Sequence, residues 1–469
     1  MKKVFNKIKD NRIPIICGLI PFIIFIILYF AYYPGIITFD GNNQWQQVQS
    51  GIITNAHPFF STYFMYLLSK IWNSTNIIIL FQILVYSVIW GYFCKLLKEN
   101  NKKNLILIIG TIIISSLPII AIYSITLWKD VLYSYYLFLV AVLFYKEIIG
   151  KSNFFDYILT GLLLSMVFSY RHNGIIVAIL LLIIYMIYLI KKKTNYKKII
   201  SFCLTFVAII LLISIPKNHY LSLSNKQTKN DVKLSTIDSY MLWQTGAYIK
   251  NNSIKSDDDL KFLNNIIPIK TWKKIYDPYI INGTSNCKEF DKKFLSKNIE
   301  KFRKIYFKNI KENPLILMEH YVKSDSMLLS PVMLKKGYLY IFDFSEWSPC
   351  GFDSKTNSKL PFVKKIYNYS LNISIRKPLD VLYRPAIWLY LGIIITFILS
   401  KKVYGKKIWM FIMPMLCNTL SLLPINLAQD LRYVYINFLV TFALLMILII
   451  NYDKIKKKGR IRWKKIKVQ

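Results

Sequence analysis

IPIICGLIPFIIFIILYFAYY, residues 13–33, carries no charged side chain. It reaches the roughly 20 apolar residues that a helix needs to cross a bilayer. Similar runs recur near 76–97, 104–125, 131–148, 155–170, 174–190 and 198–215, then at 385–400, 407–424 and 433–450. Hydrophobic residues make up 54% of the 469, and the mean hydropathy is +0.37. A soluble globular chain rarely has that much apolar surface to bury. The pattern excludes an ordinary cytosolic enzyme, a secreted disulfide mini-domain and a disordered chain. It predicts an all-α polytopic membrane protein with about ten transmembrane helices. The first run lacks a small-x-small cleavage site and reads as an anchor rather than a signal peptide.

The flanks of these runs predict their orientation. Lys+Arg number 62 against 24 Asp+Glu, a formal net charge of +38. The chain is crowded with Ile, Asn and Lys, so part of this charge is compositional background. Most of it lies beside the apolar runs, which argues against a nucleic-acid partner. Alternate short loops hold the lysines: 2–12, 95–103, 146–151, 191–198, 401–407 and the tail 454–467. The other short loops hold only Lys70, Lys129, Arg171 and Arg432. By the positive-inside rule both termini are cytoplasmic and the polar stretch 216–384 is extracytoplasmic. The chain then divides into a membrane domain at 1–215 with seven spans and a first outer loop at 34–72, the outer domain 216–384, and three spans with a basic tail at 385–469. Such a tail suits anionic lipid headgroups. Residues 58–72, PFFSTYFMYLLSKIW, are too short to span and read as a re-entrant or interfacial helix.

The outer domain reads as mainly helical. Ser256 with the acids behind it forms a helix start. Residues 288–313 form an amphipathic helix stopped at Asn313-Pro314, and 314–329 another. Two of the six cysteines, Cys287 and Cys350, lie here; an oxidising exterior allows a disulfide between them, the alternative being two buried thiols. No cysteine or histidine spacing points to zinc.

Polar residues concentrate on the outer rim of the membrane part. Three acids, Asp40, Asp130 and Asp430, lie there with His57, Lys129, Arg171, His172 and Arg432. Ionisable groups at span ends are functional candidates, although any one of them also serves as an interfacial anchor or a helix cap. The first outer loop is the most informative: after Pro34-Gly35, Asp40 precedes GNNQWQQVQSG, a polar amphipathic helix closed by Gly51, and then Asn55-Ala56-His57-Pro58. That helix has no obvious packing role beside an exposed carboxylate. The arginines and Lys129 offer a fork and a point charge for a phosphate. A carboxylate for proton transfer beside cations for a leaving phosphate is what an enzyme acting on a lipid phosphate requires.

YPGIITFD with the following Gln, Gly and His-Pro, LWKD at 127–130, YRHNG at 170–174 and DLRY at 430–433 together resemble the GT-C class of integral membrane glycosyltransferases, in an uncharacterised bacterial branch. The resemblance covers the membrane part, about two-thirds of the chain, and not 216–384. It implies transfer of a sugar from a polyprenyl-phosphate donor to an envelope glycan or lipid acceptor at the outer face of the membrane. Asp40 would be the general base, attack at the anomeric carbon proceeding with inversion. It implies that Lys129, Arg171 and Arg432 hold the donor phosphate with His172 as helper, and that Asp430 belongs to the same binding set. His57 would shape the acceptor site, and Asp130 would orient Lys129, bind a cation or serve as a second acid. No cofactor is required, although some relatives hold Mg or Mn between two acids. The paired-acid motif of some protein mannosyltransferases is absent, because Gly41 follows Asp40.

Two other readings compete. A transporter or flippase of lipid-linked sugars usually places ionisable groups and broken helices near the midplane, whereas these polar groups crowd one rim. A non-catalytic membrane protein would use its basic outer domain to bind an anionic envelope polymer.

Overall fold

A computed structural model describes residues 2–100, 103–227, 234–332, 357–374 and 376–456. The chain forms two compact units. One is Met1–Ser224, Tyr340–Ser421 and Leu431–Gln469; the other is Asn225–Leu339 with Leu422–Asp430. These limits differ from 216 and 384 because the helix containing 198–215 does not stop there. It runs unbroken through Pro216, and the chain rejoins the first unit well before the span at 385. Cys350, and with it the expected pairing to Cys287, lies outside the described residues, as does the tail beyond 456.

Among its described residues the first unit is helical, with one two-residue strand pair. Its elements are α1 (Lys2–Ala31), β1 (Ile36–Ile37), α2 (Phe39–Ser50), α3 (Phe59–Ser69), α4 (Thr75–Asn100), α5 (Asn104–Ser116), α6 (Pro118–Ser124), β2 (Thr126–Leu127), α7 (Lys129–Ile148), α8 (Phe154–Tyr170), α9 (Gly174–Lys191) and α10 (Tyr196–Gln227). Helices Pro361–Ser374, Pro385–Leu399, Trp409–Leu422 and Tyr435–Ile450 follow. Among the described residues, seven helices are long and apolar enough to cross a membrane, or eight if α5 and α6 count as one bent span.

The difference from the ten apolar runs has physical causes. The 104–125 run bends by 69° at Pro118, whose ring cannot continue the hydrogen-bond ladder. Helix α8 is apolar but only 17 residues long. Pro385–Leu422 is a continuous helical run of 38 residues. It doubles back at Gly405, which takes φ +68, a left-handed value that favours glycine. Thr441 Oγ1 touches both ends of that run, 2.9 Å from the Trp388 carbonyl and 3.8 Å from Met415 Sδ. In a straight helix those two residues would be some 40 Å apart.

Burial ranks the helices. Helix α7 and the last helix are the most enclosed, 89% and 78% buried over their apolar windows, while α10 is 11% buried. Leu204, Leu211 and Ile215 on α10 stand exposed, which suits contact with lipid and not with water. The pair α1 and α4 packs through Gly18 and Gly91, where a Cβ on Gly91 would lie 3.1 Å from the Gly18 Cα. Small residues at such a crossing let two backbones approach. Polar groups gather at both ends of α7. At its C-terminal end Glu147 pairs with Lys192 at 2.5 Å and Lys146 with Asp156 at 2.8 Å. At the other end stand Lys129 and Asp130. Between them lies about 25 Å of apolar helix, close to the depth of a hydrocarbon core.

The second unit has its own core, built on Leu242, Phe262, Leu263, Trp272 and Phe302. Ser256 caps the helix Asp257–Asn264 as its sequence implies. The expected helix at 288–313 breaks at Asn298 into Lys292–Lys297 and Ile299–Glu312, and the one at 314–329 at Asp325. Segment Leu422–Asp430 joins this unit: Tyr240 donates its hydroxyl to the Ile425 carbonyl, and Ile281 N–H donates to Leu427 O at 3.0 Å.

Candidate functional site

The site lies within the first unit, at the N-terminal end of α7. Strands β1 and β2 run parallel, Ile36 beside Thr126 and Ile37 beside Leu127. This pairing brings the first loop against the α6–α7 connection. Thr38 then caps α2: its hydroxyl accepts from Gly41 N at 3.1 Å and donates to Leu127 O at 3.1 Å. Asp40 therefore sits in the first turn of α2, where the helix dipole favours a carboxylate. Gly41 is required at its position, since a Cβ there would lie 2.4 Å from Leu127 O. A second acid after Asp40 has no room.

Helix α2 is not the unpacked polar helix that its sequence implies. Asn42, Gln44, Trp45 and Val48 are buried, and Gln44 Nε2 donates to Ser61 Oγ at 2.9 Å and Thr62 Oγ1 at 3.0 Å on α3. Helix α3, from the stretch too short to span, is thereby a support for the catalytic candidate. Gly51 closes α2 with φ +71.

Six of the eight singled-out residues form one electrostatic cluster. Arg432 Nη1 lies 2.7 Å from Asp40 Oδ2, and its Nε lies 3.8 Å from Asp130 Oδ2. Lys129 Nζ is 3.4 Å from the same Asp40 oxygen and 3.4 Å from His57 Nδ1. Arg171 Nη1 stands 3.1 Å from Asp130 Oδ1. His172 is exposed next to this cluster, with its ring beside the Ala56 backbone. Asp430 is buried and belongs to the second unit.

The two acids differ in access. The Asp40 side chain is 25% exposed, whereas that of Asp130 is 1% exposed. Asp40 can meet a ligand; Asp130 faces the two arginines from a sealed position and holds them. Burial alone would push the Asp40 carboxyl up, but the Lys129 and Arg432 charges outweigh it and hold the group well below the usual carboxylate range. His57 is driven the other way: burial first, then the Lys129 charge, bring it down to about 4. A lysine ammonium can only donate. His57 Nδ1 therefore accepts from Lys129, while Nε2, 3.1 Å from Asn43 Oδ1, carries the proton.

Aromatic rings complete the cluster. Arg171 lies over Tyr133 and Tyr433, 5.3 and 4.9 Å from their centroids, and Arg432 over Trp128 and Tyr433 at 5.1 and 5.3 Å. Such contacts fix a guanidinium and lower the cost of removing it from water. The Tyr433 carbonyl accepts from Asn418 Nδ2 at 2.9 Å and from Arg171 at 3.4 Å. Asn43 and Tyr133 were not singled out in the sequence; Tyr433 entered there only as the last residue of DLRY.

Three cations against two acids leave a local excess of positive charge. Arg432 reaches both carboxylates from between them, where a bridging divalent cation would need to sit. Among the described residues no group of three or more His, Cys, Asp or Glu is arranged to hold a metal. The donor set fits an arriving anion better than a metal cation.

No family model, curated protein or solved structure matches the chain.

Proposed function

We propose that the protein is a GT-C-like membrane glycosyltransferase that moves a sugar from a polyprenyl-phosphate donor to an envelope glycan or lipid acceptor. In this reading the α2 end of the bundle faces the outside of the cell, and the termini lie in the cytoplasm. The observation that carries it is the Asp40 carboxylate, reachable by a ligand and held by Lys129 and Arg432 at one end of an apolar helix bundle.

The chemistry follows from that arrangement. The acceptor oxygen attacks the anomeric carbon as the bond from that carbon to the phosphate oxygen breaks. The acceptor proton passes to Asp40, and polyprenyl phosphate leaves with the bonding pair. A carboxylate clamped by two cations is a poor base. The donor phosphate competes for Lys129 and Arg432, and as they turn to it Asp40 gains basicity where the proton must go. General-base help of this kind contributes typically ~10²–10⁴-fold. The sealed Asp130 acts on the arginines and is a positioning residue. No step calls on a bound metal.

The test is release of polyprenyl phosphate from a panel of polyprenyl-phosphate sugars by the purified protein in lipid nanodiscs, with an envelope glycan and lipid extract supplying the acceptor hydroxyl. Turnover with one of them, lost in Asp40→Asn, is expected. Equal release by wild type and variant would remove Asp40 from the chemistry.

A further inference from the structure

Among the described residues, the helix Pro361–Ser374 has one apolar face with no protein against it. Phe362, Ile366, Tyr369 and Ile373 recur at the spacing of a single helical stripe, and all four are exposed. The opposite face packs on the end of α1. Tyr32 Oη donates to Asn368 Oδ1 at 2.6 Å, the Tyr32 and Tyr367 rings meet edge to face, and Leu371 and Ser374 are buried.

Both of its ends are tied to helices apolar and long enough to span. Before the helix, Lys359 N–H donates to the Phe30 carbonyl at 2.9 Å, in the last turn of the α1 span. After it, Leu379, Val381 and Leu382 stand exposed immediately before the helix that starts at Pro385. On α1 itself Ile23, Ile27 and Phe30 also stand exposed. Charge supplies a second argument. From Asn357 to Leu379 there is no acid, while Lys359, Lys364, Lys365, Arg376 and Lys377 are all basic.

We infer that Pro361–Ser374 lies in the plane of the membrane surface, its apolar stripe at the boundary of headgroups and acyl chains and its cations on anionic lipid headgroups. A helix with a strongly apolar face and flanking Lys and Arg binds there through buried area plus attraction to anionic lipid. The consequence for the site is positional. The helix grips α1 at Tyr32, four residues before β1, and so sets the depth of the loop that carries Asp40.

The experiment uses the full chain in nanodiscs of phosphatidylethanolamine and phosphatidylglycerol. A photoreactive residue replaces Ile366, with others at Leu211, exposed on α10, and at Lys261, exposed on a polar helix of the second unit. Intact mass after irradiation should show lipid adducts at positions 366 and 211, with position 261 setting the background. Adducts at 211 with only background at 366, or a cross-link from 366 to a second copy of the chain, would overturn the inference. If the Ile366 variant fails to insert, the same measurement at Tyr369, on the same stripe, decides it.

Discussion

Arg432 and Asp40, 392 residues apart in the chain, meet at 2.7 Å. The contact joins the start of the last span to the first turn of α2. It holds Asp40 ionised while leaving its side chain part exposed. Four chain segments contribute charge around it: the first loop, the α7 start, the α8–α9 turn and the segment before the last helix.

Asp130 should be the more costly acid to remove. Asp130→Ala leaves the Arg171 and Arg432 guanidiniums partly buried without their shared partner, and breaking a buried pair costs about 3–5 kcal/mol. Arg171→Met should cost a similar amount. The double variant should recover part of the loss, because each single change strands a charge that the double change removes. Thermal unfolding in detergent measures the cycle; strictly additive losses would mean the two residues do not interact.

Gly41→Ala tests the strand approach. The added methyl would sit 2.4 Å from the Leu127 carbonyl oxygen, a backbone atom that cannot swing aside. A loss of about 1–3 kcal/mol is expected, with turnover falling as Asp40 is displaced. A variant as stable and active as wild type would show that β1 and β2 have room to part.

His57 should make the protein less stable in mild acid. Its folded value is lowered to about 4, against about 6.5 for a free imidazole. Between these values the unfolded chain binds the proton and the folded chain does not, so stability rises with pH across that window. His57→Gln should flatten the slope of melting temperature against pH from 6.5 to 4.5. The Asp40 contribution has the same sign but falls lower: it is present above about 4 and lost as pH drops further. An unchanged slope in the variant would place the acid sensitivity elsewhere.

Lys129→Met should separate binding from chemistry. One of the two cations that depress Asp40 is gone, so its carboxyl moves back toward the usual range. The acid limb of the pH–rate profile should shift to higher pH, and KM for the donor should rise as a phosphate partner is lost. A profile identical to wild type would show that Lys129 does not act on Asp40 in the proposed transfer.

Much of this was legible in the residues, for reasons that differ from one element to the next. Uncharged runs of span length announce helices because the bilayer core admits few other structures. Asp40, His57, Lys129, Asp130, Arg171 and Arg432 stood out because charged groups at span ends are costly and rare. What the sequence did not yield was their pairing. Nothing in DLRY says that its arginine reaches a loop near the other end of the chain, and nothing in either segment says that β1 and β2 bring that loop against the start of α7. Gly41 read as a missing acid, but its cause is the Leu127 carbonyl, a through-space constraint. The reversal at Gly405 was legible in the basic stretch 401–407 between two apolar runs, but the bend at Pro118 was hidden because hydropathy counts apolar length and not direction.

The central claim is that Asp40 takes the acceptor's proton while its neighbours hold the donor. Donor binding and turnover should therefore be measured together on Asp40→Asn in nanodiscs, with a radiolabelled polyprenyl-phosphate sugar. The account predicts donor binding within a few-fold of wild type and turnover lower by about 10²–10⁴-fold, the range of general-base catalysis. Wild-type turnover in the variant, or loss of binding and turnover in the same proportion, would contradict it.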